Sequence, residues 1–269
     1  TLVAWDAEDP ILKAWEGVYP GMVQDLSTVS GDLMAHFRYP EDLFKVQRML
    51  LETYHVTEAA EFYTGGDRWR LSEDPTSSTA EGAAASQQVQ PPYYLTMQMP
   101  GQESAEFSLT SVYVPAGGGE ARRAAMAGFL AVDSETGNTP GEVRDGYGQL
   151  RLIALPSSTT VPGPGQVQNN FNTDQQVATQ LNLLSQQGSS VIRGNLLTLP
   201  VGGGLLYVQP VYVQSTGSTS YPVLRYVLTA FGEQVGFART LNEALDQTFA
   251  GDAQATTGDS DIAPDEEGE

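Results

Sequence analysis

Val191-Ile-Arg-Gly-Asn-Leu-Leu-Thr-Leu199, Pro200-Val-Gly-Gly-Gly204 and Leu205-Leu-Tyr-Val-Gln-Pro-Val-Tyr-Val213 follow one another without a gap. The outer runs are rich in β-branched and aromatic residues, and the middle run has turn chemistry. The stretch therefore reads as a β-hairpin. Pro210 cannot donate to a strand ladder, so it predicts an edge or a bulge inside the second strand.

The pattern continues in both directions. Val223 to Phe231 and Val235 to Ala238 form a second expected hairpin across Gly232-Glu-Gln. Thr240 and Glu243 have capping-box spacing for a last helix carrying Leu241, Leu245 and Phe249. Upstream, Tyr93 to Met99, Glu106 to Val114, Met126 to Val132 and Gln149 to Leu155 read as strands. A helix is expected from Asp174 to Gln187, capped by Asn172 or Thr173 and stopped by Gly188, with Val177, Leu181 and Leu184 inward.

The N-terminal part is helical in pattern. Asp9 caps a short helix with Pro10 first, bearing Ile11, Leu12 and Trp15. Leu33 to Phe37 suggests another helical turn. A longer helix starts at Pro40, with Glu41 and Asp42 where the helix dipole favours anions. Leu43, Val46, Leu50 and Tyr54 recur along it at helical spacing, and Leu51 widens the stripe. That face is expected to be core. Residues 72–92 are rich in Ser, Thr, Ala, Gln and Pro and read as a loop or linker.

The expected fold is α+β, with mostly antiparallel sheet or sheets and about four helices. Residues 1–80 form a helical part, 81–250 a β-rich part in one compact domain with it, and 251–269 a disordered acidic tail. Hydrophobic residues make up 40% of the 269, enough for a sizeable core.

Composition excludes some functions. The formal net charge is -20. Such a surface repels phosphates and anionic lipid, so no nucleic-acid partner is expected. Arg122-Arg123 is too small a basic cluster to change that. With no cysteine, disulfides and thiolate chemistry are absent. No run reaches the ~18 apolar residues of a membrane span. The chain opens Thr1-Leu2-Val3 without Met, and is expected to be a piece of a longer chain whose membrane segments lie outside it.

Catalytic motifs are sparse. The two histidines, His36 and His55, lack a Gly-x-Ser-x-Gly elbow to serve, and a structural role fits both. Gly202-Gly203-Gly204 lacks the Lys and Ser/Thr of a phosphate loop. Asp259-Ser-Asp261 and Asp265-Glu-Glu267 lack EF-hand spacing. Glu41-Asp42, Glu58/Glu61 and Glu73-Asp74 show no spacing that marks an acid/base pair. Tyr93, Tyr94, Tyr113, Tyr207 and Tyr212 sit on expected strands, in core or on a sheet surface. No metal or cofactor is expected. The most distinctive polar run is Gly163-Pro-Gly-Gln-Val-Gln-Asn-Asn170. Its amides Gln166, Gln168, Asn169 and Asn170 suit a polar ligand such as a sugar, and equally suit capping and loop structure.

Four stretches carry a resemblance. They are His36-Phe-Arg-Tyr-Pro-Glu-Asp-Leu-Phe44, Tyr93-Tyr-Leu-Thr-Met-Gln-Met99, Val161-Pro-Gly-Pro-Gly-Gln-Val-Gln-Asn169 and Gly194 through Tyr212. Together they resemble the C-terminal region of uncharacterised protein family 0182, over most of residues 33–249. The family consists of large bacterial membrane proteins, found in actinobacteria and some cyanobacteria. The resemblance implies an extracytoplasmic domain attached to a membrane-embedded N-terminal part of the same protein. It implies no reaction and no catalytic residues.

Three functions stay open: a non-enzymatic binding or interaction domain for an envelope ligand or protein partner, a glycan- or peptide-processing enzyme using carboxylates, and a structural domain that forms a homo-oligomer. An enzyme requires a deep pocket with converging carboxylates, at least one with a raised pKa. A binding domain requires a groove lined by aromatics and amides. A scaffold requires a large apolar patch or a symmetric interface.

Overall fold

The computed structural model describes residues 2–77, 88–117, 124–158, 160–186, 189–215 and 220–255. Among them lie seven α-helices, one 3-10 turn and twelve strands, mostly in antiparallel pairings. The fold is α+β. The chain divides into two compact units that interleave in sequence. The first holds residues 1–48, 92–110 and 130–153, and the second holds 49–91, 111–129 and 154–269. Arg122, Arg123, Gly188 and the expected boundary near residue 80 lie outside the described residues. So does the expected tail beyond residue 255.

In the first unit, β1 (Leu2–Val3) pairs in parallel with β2 (Val23–Gln24). Between them runs α1 (Pro10–Val18), opened by Asp9, whose carboxylate accepts from the Ile11 and Leu12 amides at 2.7 and 3.0 Å. That is the expected cap, but α1 buries none of its residues. A short α2 (Gly31–Met34) follows, capped by Ser30. Then β4 (Tyr93–Met97) pairs with the first half of β5 (Glu106–Pro115). Leu109, Leu130, Val132, Met34 and Phe44 are among the most buried side chains of this unit.

One ion pair organises its long loop. Arg144 Nη2 lies 2.6 Å from both carboxylate oxygens of Asp133, which is buried at the end of β6 (Gly128–Asp133), the neighbour of β7 (Leu150–Ala154) in the sheet. Glu106 approaches the same nitrogen at 3.4 Å. Burial opposes the Arg144 charge, but the Asp133 hydrogen bond and the nearby carboxylates outweigh it and raise its pKa.

The longest N-terminal helix, α3 (Glu41–Tyr54), begins where Pro40 predicts and turns the opposite way from expectation. Leu43, Val46, Leu50 and Tyr54 are 48%, 50%, 49% and 67% exposed. The buried side chains are Phe44 and Arg48. On that same face Glu52 accepts from the Leu71 amide at 2.8 Å. His55, just past the helix, stacks on Trp69 at 3.6 Å. Each of its ring nitrogens faces a main-chain carbonyl oxygen, of Leu51 at 2.7 Å and of Asp67 at 3.0 Å. Ring stacking and hydrogen bonds to β3 (Trp69–Leu71), which spacing cannot reveal, select the face that is covered. A shorter helix, α4 (Ala59–Thr64), comes next.

The second unit is built on β10 (Gly204–Ser215). One side of β10 pairs with β11 (Val223–Phe231), and β12 (Gln234–Ala238) pairs beyond it. On the other side, β9 (Leu197–Val201) covers Gly204 to Val208 and β8 (Ser189–Arg193) covers Val211 to Ser215. The run expected as one strand, Val191 to Leu199, is thus two strands broken at Gly194-Asn-Leu196. The break explains Pro210. It lies between the spans paired to β9 and β8, where no ladder donor is required on that side, and the β11 register shifts at Val211/Tyr212. The expected bulge is present, although β10 is central rather than an edge. Gly202 and Gly203, with φ of +58° and +79°, make the two-residue turn between β9 and β10.

The linker reading of 72–92 is partly overturned. Glu73 and Val89 form an antiparallel bridge, and Ser72 and Gln90 are buried. Gln90 donates to the Leu196 carbonyl at 2.9 Å, tying this arm to the β8–β9 connection. Two helices follow one another in α5 (Pro164–Thr173) and α6 (Gln175–Gln186). Asp174, not Asn172 or Thr173, caps α6 through the Val177 amide at 3.0 Å, because α5 runs on to Thr173. The last helix, α7 (Leu241–Thr248), starts at Thr240, whose hydroxyl accepts from the Glu243 amide. It seats Ala244, Leu245 and Thr248 inward, where Thr229 meets the Thr248 hydroxyl at 2.6 Å. Gly236 permits the approach, since a Cβ there would lie 2.0 Å from the Ala244 carbonyl oxygen.

Candidate functional site

The amide run lies on a helix that starts at Pro164, with Gly163 as its N-cap, although the next helix was expected only from Asp174. Pro164 occupies the first position of α5, where its missing N–H costs nothing and its fixed φ suits the helix. Val167 and Phe171, four residues apart, anchor it among the most buried side chains of the second unit. This was the overlooked sequence signal: Pro at the first position followed by an i, i+4 apolar pair.

Helical spacing divides the four candidate amides. Gln168 shares the inward face with Val167 and Phe171, and is buried. Its Oε1 accepts from Gln209 Nε2 at 2.8 Å, and Gln209 also donates to the Gly194 carbonyl at 3.1 Å. Gln168 therefore does structural work, satisfying a polar group inside the sheet–helix layer. Gln166, Asn169 and Asn170 face outward on the opposite side. Gln166 donates to Asn170 Oδ1 at 2.8 Å, an i, i+4 bond that orients both amides.

Two clefts of the second unit meet these amides. The larger, about 480 Å³, is lined by Gln166 and Asn169 together with Arg70, Ser72, Glu73 and Asp74. The other, about 370 Å³, is lined by Gln166, Asn170, Thr160, Tyr207 and Glu233 among others. Gln166 thus borders both. Tyr207 is core, as its strand position allowed. Burial pushes its phenol well above the ordinary tyrosine range, and its hydroxyl donates to the Pro162 carbonyl just ahead of α5.

Arg70 and Ser72 were not singled out by sequence, and Glu73-Asp74 stood there only as one carboxylate pair among several without distinctive spacing. All four belong to β3 and to the start of the arm read as a linker; the Arg70–Val114 pairing of β3 with β5 and the Glu73–Val89 bridge bring them to the cleft. Arg70 Nη1 pairs with Glu73 Oε1 at 2.6 Å. Asp74 Oδ1 accepts from both the amide and the hydroxyl of Thr76, at 2.9 and 2.7 Å. Each carboxylate in the cleft is therefore already engaged by a neighbour. The cleft offers a guanidinium, two amides, a hydroxyl and two carboxylates to a ligand. Among the described residues no aromatic lines it. The other acid candidates lie elsewhere: Glu41 pairs with Lys45 at 2.7 Å on α3, and Glu58 and Glu61 sit at the start of α4. Among the described residues no group of three or more His, Asp or Glu side chains is placed to hold a metal ion. No described helix is long and apolar enough to cross a membrane.

The profile of the uncharacterised protein family UPF0182 matches residues 1–184. A UPF0182 protein from Clavibacter sepedonicus is 56% identical over 265 residues, which is 98% of this chain and 27% of its own length. One from Bifidobacterium longum is 54% identical over 260 residues, 97% of this chain and 24% of its own. A third, from Tropheryma whipplei, is 52% identical over 97% of this chain. The chain thus spans about a quarter of the length of the curated relatives it matches. No solved structure matches it. The chain belongs to the uncharacterised protein family UPF0182.

Proposed function

We propose that this chain is a non-enzymatic binding domain of a larger membrane-anchored polypeptide, working on the extracytoplasmic side. Its site is the cleft at Gln166 and Asn169, and its ligand is a small polyhydroxylated molecule such as an envelope sugar. One observation supports this reading most: outward amides from α5 and side chains from the β3 arm converge on a single cleft of about 480 Å³, which supplies the amide half of the expected groove and, among the described residues, not the aromatic half. Amides, a guanidinium and carboxylates donate to and accept from sugar hydroxyls in pairs, which a flat surface cannot do. The carboxylates favour binding over catalysis, because Glu73 is neutralised by Arg70 and Asp74 holds its own turn. The relatives, about four times as long, supply room for a membrane anchor.

Native mass spectrometry of the gently purified protein, alone and with short neutral oligosaccharides, tests the reading. A retained or added sugar adduct that disappears in Asn169→Ala, with the fold unchanged by circular dichroism, is the expected result. Turnover of the oligosaccharide that is lost in Glu73→Gln would establish an enzyme instead. A bare, discrete oligomer would favour the scaffold.

A further inference from the structure

The outward stripe of α3 is a feature that neither the fold nor the cleft uses. Leu43, Val46, Leu50 and Tyr54 recur at spacings of three and four residues, so they stack along one side of the helix. Met49 flanks them and is also exposed. The Tyr54 ring lies 5.9 Å from the ring of Phe62, which carries the stripe onto α4. The result is an apolar ridge about 20 Å long, the length of a fourteen-residue helix. Exposed apolar residues are common singly, but a continuous stripe on an amphipathic helix marks a surface that something covers.

We infer that this ridge docks against the part of the same family polypeptide that lies outside these 269 residues. Three observations select that occupant. Relatives that match 97–98% of this chain devote only 24–27% of their own length to it, so some three-quarters of the polypeptide is elsewhere and covalently tethered. Tethering raises the effective concentration of a linked surface to roughly millimolar, so a ridge of six side chains suffices. A free partner requires an interface of about 1,200–2,000 Å². Finally, a net charge of -20 sets one copy against another and against an anionic membrane surface. Asp42 flanks the stripe on α3, Glu58 and Glu61 open α4, and Glu41 and Lys45, paired at 2.7 Å, turn towards the covered side of the helix. The complementary surface is therefore an apolar groove rimmed by Lys or Arg. This inference rests on family membership and is independent of the cleft.

Site-specific photo-crosslinking in the intact long polypeptide tests it. A benzophenone amino acid replaces Leu50 on the ridge, and in a control replaces Thr179, which is exposed on α6. After irradiation and digestion, mass spectrometry identifies the captured segment. The expected outcome is at least fivefold more crosslink from position 50 than from 179, to segments of the same polypeptide beyond this chain. Val46→Glu should cut that yield at least fivefold. Crosslinks mainly to a second copy, mainly to lipid, or no stronger than those from position 179 would overturn the proposal. A failure here leaves sugar binding by the cleft untouched, because Asn169 and Leu50 are probed by different readouts.

Discussion

Helices α3 and α7 carry the same kind of pattern and meet opposite fates. Both are amphipathic, and both have acidic residues in the first turn. In α7 most of the apolar stripe is covered: Ala244 and Leu245 are buried, and Leu241 packs against the cluster of Val227, Ala238 and Ala244. Phe249 at the end, still half exposed, lies 5.4 Å from the Phe231 ring. In α3 the stripe lies in solvent, and the opposite side is held by a glutamate and a stacked histidine. The difference teaches that periodicity identifies an apolar face without naming what covers it. A helix next in sequence to a hairpin has its cover supplied locally. Gly236 even opens the space, and the Thr229–Thr248 contact sets the spacing. Among the described residues the next helix, α4, brings Phe62 to Tyr54 and leaves Leu43, Val46 and Leu50 exposed.

That contrast can be broken by substitution. Leu245→Ala, in the covered stripe, should lower stability by about 3 kcal/mol, read by urea unfolding. A loss below 1 kcal/mol would mean that α7 is not anchored as described. Asp133→Ala tests whether the first unit, which begins α3, is itself firmly organised. It strips the partner from Arg144 and should cost about 2 kcal/mol, less than a fully buried pair would, because the Arg144 side chain is a third exposed. Arg144→Ala should cost at least as much, since it leaves the buried Asp133 charge unpaired.

A smaller effect should appear with pH. Burial, together with neighbouring Tyr39 and Tyr94, pushes the Tyr147 phenol up to about 12. The folded state thus holds a proton that the unfolded chain releases near pH 10. The stabilisation is complete below pH 10 and is lost as pH rises from 10 towards 12. Above pH 10, Tyr147→Phe should lose stability less steeply than the parent protein in matched urea titrations. Smallest of all, Leu50→Ser on the α3 ridge should change the stability of this chain by no more than about 0.5 kcal/mol. A large loss would show that the stripe is core after all, and the comparison with α7 would collapse.

Much of the fold was legible locally. Both hairpins fell where turn residues separate β-branched runs, and their observed strands, Leu197–Val201 with Gly204–Ser215 and Val223–Phe231 with Gln234–Ala238, keep those turns. Caps were legible where a side chain serves its own helix, as with Asp9 and Thr240. Helix α5 was hidden by a glycine–proline run that looks like a breaker and instead starts the helix. Of the candidate amides, sequence named all four, but only the helix shows that Gln168 faces in while Gln166, Asn169 and Asn170 face out. Arg70, Ser72, Glu73 and Asp74 were invisible as cleft residues, because the Arg70–Val114 strand pairing and the Glu73–Val89 bridge that place them join positions far apart in the chain.

The sequence by itself determined the acidic charge, the absence of thiol chemistry, the α+β class and the local turns, because these depend on composition and on neighbours a few residues away. Tertiary structure alone decided which face of α3 is covered, that β8 and β9 break opposite Pro210, and which side chains share a cleft with α5. Each of these depends on hydrogen bonds and packing between segments far apart in the chain, and periodicity within one segment carries no information about them.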